Sequence, residues 1–192
     1  MSSDNKEIYT KKLIDFDISA EIKHGIHVSN LAYWISRELV LSEEDSYQMA
    51  IAGMLHDIGK LKLSHYIYEE EAKLNIDELR YIRKHPTLGY EMLAFDYSQI
   101  VAESVLHHHE NYDGSGYPDN LSGEEIPLGS RILRICDVFA ALTSDRPYRR
   151  AFDKETALEL MIEEIKNFDV KIFIAFQRVI HDEELIMKIE RI

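Results

Sequence analysis

The chain has 192 residues and a formal net charge of −13, from 35 acidic and 22 basic side chains. Its length suits one folded domain, and a hydrophobic content of 45% with only 4 prolines and 8 glycines is typical of a compact globule. Sequence-independent binding to nucleic acid relies on clustered lysine and arginine, so this acidic balance argues against a nucleic-acid partner.

The single cysteine, Cys136, cannot form an intramolecular disulfide, so nothing in the sequence calls for an oxidising compartment. The first 12 residues are polar and mixed in charge, without the apolar core of a signal peptide. No stretch is long and apolar enough to span a bilayer. We therefore expect a cytoplasmic protein without a membrane partner.

Apolar residues recur at a spacing of three to four in successive segments, which predicts helices. Ser42 with Asp45, and Asp153 with Thr156, are typical of helix starts. Alternating strand-like runs bounded by turn residues are missing, so the predicted fold class is all-α. The apolar series are Val28, Leu31, Ile35 and Leu39; Leu79 and Ile82; Leu88 and Met92; and Ala157, Leu160, Met161 and Ile165.

The sequence predicts one domain over residues 1–192, since no repeat, low-complexity tract or linker marks a second one. We divide it into an N-terminal helical extension (1–23), a core (24–176) and a C-terminal tail (177–192). The glycines and the proline between Asp113 and Pro118 predict an irregular loop within residues 111–130.

An imidazole and a carboxylate, both common metal ligands, are adjacent in the run His56-Asp57-Ile58-Gly59-Lys60, whose lysine can meet a phosphate. A single helix face offers only two or three side chains to one point, so a metal centre needs ligands from several helices. Further candidate ligands lie on the other predicted helices, and they are His24, His85, His108, His109 and Asp137.

Each candidate has a plainer interpretation. A lone His24 or His85 is more often a partly buried histidine, and the run 107–109 could be a polar helix end. Asp137 is harder to explain away, because a buried aspartate in the apolar helix around it is costly unless a cation or donors satisfy it. Three other histidines lack such support and are expected to be structural or at the surface, namely His27, His65 and His181.

A basic cluster follows the Asp137 helix, in the run Arg146-Pro147-Tyr148-Arg149-Arg150. Forked guanidinium donors suit phosphate oxygens. The alternative is that these arginines only balance a surface rich in acidic residues.

Four motifs in this order and approximate spacing resemble the HD-GYP family, a branch of the HD metal-dependent phosphohydrolases, over residues 24–176. They are His56-Asp57-Ile58-Gly59-Lys60, His108-His109-Glu110, Gly116-Tyr117-Pro118 and the run from Asp137 to Leu142. The resemblance implies an all-helical HD bundle that hydrolyses cyclic di-GMP to linear pGpG and then to GMP. It also implies a centre of two or three divalent metal ions, usually iron or manganese.

Carried over by position, the resemblance assigns a role to each candidate. Asp57 would bridge the two metals, and Lys60 would sit beside the scissile phosphate, which makes these two the catalytic residues. One metal would be held by His24, His56, Asp57 and Asp137, and the other by His85, His108 and His109. The implied substrate-binding residues are Lys60, Arg146, Arg149, Gly116, Tyr117 and Pro118.

The chain also departs from the family pattern. Members with three metals carry a glutamate at the position of Ala20, so a third metal is not expected here unless Glu21 replaces that glutamate. Where the family usually has a Lys-Pro-Gly turn, this chain has the acidic Glu70-Glu71-Ala72.

Two metals that share a water can lower its pKa from about 15.7 towards about 7, which would give a nucleophile at neutral pH. Two alternatives stay open: a phosphohydrolase of another cyclic dinucleotide or a nucleotide, and a non-catalytic module that senses a nucleotide or docks on a protein. The second would usually lack a ligand, and none of the seven is missing. A homodimer or a signalling-protein partner also stays open.

Overall fold

The computed structural model describes residues 11–13, 18–63, 66–68, 76–145 and 149–189. These residues form an α-helical bundle, which confirms the predicted all-α class. None of the described helices is long and apolar enough to cross a membrane. The helices are α1 (Ile18–Glu38), α2 (Glu43–Leu55), α3 (Ile76–Ile82), α4 (His85–Leu93), α5 (Gln99–Leu106), α6 (Leu128–Leu142), α7 (Lys154–Glu163), α8 (Val170–His181) and α9 (Glu183–Ile189).

Both predicted helix starts are confirmed. The backbone N–H of Asp45 donates to Ser42 Oγ at 3.0 Å at the start of α2. The backbone N–H of Thr156 donates to Asp153 Oδ1 at 2.9 Å at the start of α7. Each cap satisfies an N–H that the first helical turn leaves without a partner.

The core lies where α1 packs against α2, α6 and α8. The predicted apolar series of α1 supplies Val28, Leu31 and Ile35, which are fully buried. From the other side, α6 and α8 contribute rings at Phe139 and Phe176 whose centres are 5.0 Å apart. This packing fixes α1, α2 and α6 relative to one another, and each of the three helices carries or ends at a candidate ligand.

Two short strands were not predicted. Lys11–Leu13 pairs antiparallel with Tyr66–Tyr68. The strand at 11–13 falls within the expected helical extension, and α1 crosses the expected boundary at residue 24 without a break. Pairing of this kind depends on two segments far apart in the chain, which local periodicity does not register.

The C-terminal segment also differs from the expectation of a tail. Helix α8 continues to His181, and α9 follows directly. Ile189 at the end of α9 is only 1% exposed and belongs to the core, because α9 packs back on α1.

The predicted apolar series Leu79 with Ile82 and Leu88 with Met92 lie on separate helices, since α3 ends at Ile82 and α4 begins at His85. Pro86 occupies the first turn of α4, where its missing N–H leaves no hydrogen bond unmade. The division places His85 at the N-terminal end of a helix.

Gly59 lies in a 3₁₀ helix, Ile58–Lys62, that follows α2 and packs on α4. A Cβ at Gly59 would overlap the carbonyl oxygen of His85 and the backbone nitrogen of Gly89. Both obstacles are backbone atoms, so no side-chain rotation removes the clash. The glycine therefore allows the segment that carries Asp57 to lie directly against the start of α4.

We predict that Gly59→Ala lowers the free energy of unfolding by about 2 kcal/mol or more, because the backbone of α4 has to shift. Urea denaturation measures this change. The control is Gly123→Ala, at a glycine with φ +56° and open space around it, for which only the conformational cost of about 1 kcal/mol applies. Equal losses in the two variants would contradict the close-approach argument.

Candidate metal centre

The structure brings all seven predicted ligand residues to one place. Two groups each have ligand atoms within 4.8 Å of one another: Asp57, His85, His108 and His109 form one, and His24, His56 and Asp57 form the other. Asp137 adjoins the second group, with Oδ1 3.0 Å from His24 Nε2 and 3.7 Å from His56 Nε2. Asp57 belongs to both groups.

The backbone orients three of the imidazoles in the same way. Nδ1 lies 2.7 Å from Gly53 O in His56, 2.9 Å from Ile82 O in His85 and 2.7 Å from Val105 O in His108. A carbonyl can only accept, so Nδ1 carries the proton and donates it in each pair. In the neutral ring, Nε2 then keeps a lone pair, which is the form that binds a metal.

Three Nε2 atoms of this cluster have unfavourable surroundings unless a cation is present, those of His56, His85 and His108. His85 Nε2 and His108 Nε2 are 3.3 Å apart, although both present lone pairs. His56 Nε2 is buried without a hydrogen-bond partner in the described part of the chain, and it lies 3.2 Å from Asp57 Oδ2. Imidazole nitrogens bind divalent metals such as zinc at about 2.0–2.1 Å, which suits the short spacings seen here. The cluster therefore fits a divalent metal.

The charges of the cluster depend on its carboxylates. Burial raises the pKa of Asp57, but His56, His85 and Lys60 lower it well below its usual range. Burial likewise raises the pKa of Asp137, and His24 and His56 outweigh that effect, so this carboxylate also stays ionised.

The imidazoles fall into two classes. Burial lowers the pKa of His56, but Asp57 and Asp137 more than compensate and raise it to about 9. Burial lowers the pKa of His109 to about 3, and burial with neighbouring imidazoles lowers that of His108 well below its usual value. His108 and His109 therefore remain neutral near pH 7, whereas His56 holds a proton that a metal would have to displace.

Lys60 lies at the edge of the cluster. Its Nζ is 2.6 Å from Asp57 Oδ2 and 3.3 Å from Glu21 Oε2. Burial lowers the pKa of Lys60, and these two carboxylates raise it above its usual value, so the lysine is charged. Glu21 is thus engaged with Lys60, while Ala20 lines a cavity beside His24.

The glycine-rich loop covers the other side of the cluster. The ring of Tyr117 stacks on His109 with centres 4.8 Å apart and planes inclined by 25°. Gly116 permits this approach, because a Cβ there would overlap the backbone of Glu110 and Asn111. Pro118 completes the loop, and the next residue, Asp119, donates its N–H to Glu110 Oε1 at 2.6 Å.

The arginine cluster is described only in part. Arg149 closes the C-terminal end of α6, donating from Nη1 to Leu142 O at 3.0 Å and from Nη2 to Ala141 O at 2.8 Å. Its guanidinium also lies 4.4 Å above the ring of Phe152. Arg146 and the run Glu70-Glu71-Ala72 lie outside the described residues, so a phosphate-binding role for this cluster stays a prediction.

Three residues of the site have roles that were not predicted from the sequence. Glu110 is 1% exposed and holds the loop to the end of α5. Glu21 binds Lys60, as described above. Arg134 lies one helical turn before Asp137 on α6, and the argument that singled out Asp137, a charge within an apolar helix, applies equally to it.

A sequence profile of the HD domain matches residues 9–172. The chain belongs to the HD domain family. The resemblance found in the sequence is thereby confirmed.

Curated relatives include the cyclic di-GMP phosphodiesterase response regulator RpfG of Xanthomonas campestris, 42% identical over 75% of this chain and 38% of the relative. The cyclic di-GMP phosphodiesterase PA4108 of Pseudomonas aeruginosa is 37% identical over 82% of this chain and 38% of the relative. The 3'3'-cGAMP-specific phosphodiesterase 3 of Vibrio cholerae is 33% identical over 88% of this chain and 37% of the relative. This chain therefore spans less than half the length of these relatives.

A solved structure supports the fold. The crystal structure of a cyclic GMP-AMP specific phosphodiesterase of V. cholerae superimposes with a TM-score of 0.70 at 18% identity, covering 94% of this chain and 52% of the other. The HD bundle predicted from the sequence is confirmed.

We predict that Asp57→Asn weakens metal binding by about 100-fold or more, because Asp57 belongs to both ligand groups. Elemental analysis after anaerobic purification, followed by titration with Mn²⁺, measures the change. The control is Asp119→Asn, which removes a carboxylate 3.0 Å from His107 Nε2, outside both groups. Unchanged metal content in Asp57→Asn would contradict the assignment.

Metal affinity should also depend on pH. His56 holds a proton below its pKa of about 9, and a metal binds only the neutral imidazole. Affinity should therefore rise by about tenfold per pH unit between roughly pH 7 and 8.5 and level off above 9. Competition with a chelator of known pH dependence measures this, and a flat profile would show that no proton is displaced.

Proposed function

We propose that this chain is the catalytic domain of a metal-dependent phosphodiesterase that hydrolyses cyclic di-GMP to linear pGpG and then to GMP. The observation that carries the proposal is the convergence of five imidazoles and two carboxylates beside a charged lysine. Clusters of this composition suit metal-assisted attack on a phosphoester.

Two metal ions are proposed, iron or manganese, in agreement with the two ligand groups. One would be held by His24, His56, Asp57 and Asp137, and the other by Asp57, His85, His108 and His109. Bound there, such ions would supply Lewis-acid stabilisation of the phosphate and activation of water. Two rather than three ions are favoured, because Ala20 offers no ligand and Glu21 is paired with Lys60.

Lys60 is the group of this chain that would act directly on the scissile phosphate. It is charged, it is held beside Asp57, and a change of side-chain rotamer could move its ammonium from Glu21 towards an incoming anion. A fixed positive charge next to the phosphoryl oxygens stabilises the charge that develops on them. Glu21 would keep the lysine in place between turnovers.

A cavity of about 1000 Å³ adjoins His24 and is proposed to receive one nucleoside of the substrate. Cavities of this size hold nucleotide-sized ligands. Its wall contains cationic and aromatic groups, which suit a phosphate and a base, and they include Lys23, Lys154, Phe139 and Phe152.

Cyclic di-GMP is preferred as the substrate because the relatives named for it reach 42% and 37% identity. A second candidate is 3'3'-cGAMP, because three relatives in V. cholerae are named for it, at 33 to 36% identity. A non-catalytic module is less favoured, since all seven ligand residues are present and brought together. A single domain over all 192 residues, a cytoplasmic location, and pairing with a second copy or a signalling protein are also proposals.

We predict that protein loaded with Mn²⁺ converts cyclic di-GMP to pGpG, with a higher kcat/KM than for 3'3'-cGAMP or cyclic di-AMP. Chromatography of the products measures this. Absence of turnover of every cyclic dinucleotide at full metal load would contradict the function, and a higher kcat/KM for 3'3'-cGAMP would favour the second candidate.

Lys60→Gln should lower kcat by about 100-fold or more while metal content is unchanged, because a charge beside the phosphate is lost. Lys62→Gln is the matched control, since Lys62 is 44% exposed and faces Glu91 on the surface. Equal activity of the two variants would remove Lys60 from the mechanism.

A further inference from the structure

Two arginines that the proposed hydrolytic step does not use lie near the ring of Tyr117. Arg83, in the short link between α3 and α4, has its Cζ 5.0 Å from the ring centre. Arg134, on α6 one turn before Asp137, interacts electrostatically with both Tyr117 and His109. Tyr117 itself stacks on His109, so both arginines adjoin the ligand group of His85, His108 and His109.

Arg134 is held in a fixed orientation but keeps free donors. Its Nε–H donates to Asn111 Oδ1 at 2.9 Å. Among the described residues, its two terminal amino groups have no hydrogen-bond acceptor, so four of its five N–H donors are available. The side chain is half-buried. Burial lowers its pKa, but a guanidinium remains charged at any ordinary pH.

Arg131, on the same helix, shows what a structural arginine looks like in this fold. Its Nη1 donates to the buried carboxylate of Asp169 at 2.7 Å, which joins α6 to the start of α8. Among the described residues, no carboxylate is hydrogen-bonded to Arg134, although Asp137 attracts its charge from one helical turn away. A half-buried guanidinium whose terminal N–H groups meet no carboxylate is costly unless an anion binds there.

We propose that Arg134, assisted by Arg83, binds the phosphate of the substrate that is not being cleaved. This inference rests on the proposed function, because a cyclic dinucleotide carries two phosphodiester groups and only one can occupy the metal centre. The second phosphodiester carries one negative charge and needs its own countercharge in a chain with a net charge of −13. A pre-oriented guanidinium supplies that charge together with paired N–H donors.

The test compares a substrate that has two phosphates with one that has a single phosphate. Arg134→Gln should raise KM for cyclic di-GMP by about 10- to 100-fold and change kcat by less than about threefold. For bis(p-nitrophenyl) phosphate, a diester with one phosphate, kcat/KM should be unchanged. Arg134→Lys keeps the charge without the fork and should give an intermediate KM.

The matched control is Arg178→Gln on α8, which makes the same change of charge at a side chain that is 69% exposed and pairs with Glu38 of α1. It should leave both substrates unaffected. Thermal unfolding of each variant shows whether it is folded.

The outcomes separate this inference from the proposed function. If wild-type protein cleaves cyclic di-GMP and Arg134→Gln has an unchanged KM, or loses activity equally on both substrates, the second-phosphate site is wrong while the function stands. If wild-type protein cleaves bis(p-nitrophenyl) phosphate but no cyclic dinucleotide, the proposed function fails, and the inference that rests on it fails with it.

Discussion

The Asp57 carboxylate is the group on which the geometry of the site depends. Oδ1 lies 3.1 Å from His85 Nε2, and Oδ2 lies 3.2 Å from His56 Nε2 and 2.6 Å from Lys60 Nζ. These contacts connect the end of α2, the 3₁₀ helix after it and the start of α4. A largely buried carboxylate with this many cationic or metal-binding neighbours stays ionised, which is the form in which a carboxylate binds a metal.

Helix ends supply most of the ligands, and the reason is physical. The last carbonyls of a helix have no intrahelical partner, so a histidine three residues further on can donate its Nδ1 proton to one of them. His56 and His108 do this at the ends of α2 and α5, and His85 does it just after α3. One interaction therefore satisfies the helix end, selects the tautomer and aims Nε2 at the centre.

Much of this arrangement could be predicted from the sequence, because it depends on local signals. The apolar periodicity predicted the helices, and Ser42 and Asp153 predicted two of their starts. The candidate ligands were predicted because His56 and Asp57 are adjacent and further metal-binding side chains lie on other predicted helices. What escaped prediction depends on contacts between distant segments, such as the ion pair of Lys60 with Glu21 and the pairing of the two strands.

The contacts of Arg149 could not be predicted from the sequence either. Its sequence context indicates a phosphate-binding arginine, yet the guanidinium donates to the last carbonyls of α6, where a cation near a helix C-terminus is stabilised. Arg134, in the apolar helix α6, donates within the described part of the chain only from Nε, to Asn111. Residue type alone could not distinguish these two cases, since both depend on which carbonyl or amide oxygens the fold brings within reach.

The net negative charge of the chain affects how an anion reaches the site. With 13 more negative than positive charges, long-range attraction of a nucleotide is unfavourable, so binding must depend on short-range positive groups. The described structure concentrates such groups around the cluster: Lys60 at its edge and Arg83 and Arg134 beside Tyr117. Metal ions in the cluster would add to this local field, and each would also remove the repulsion between Asp57 and Asp137. Metal loading and substrate binding should therefore be coupled, because both respond to the same two carboxylates.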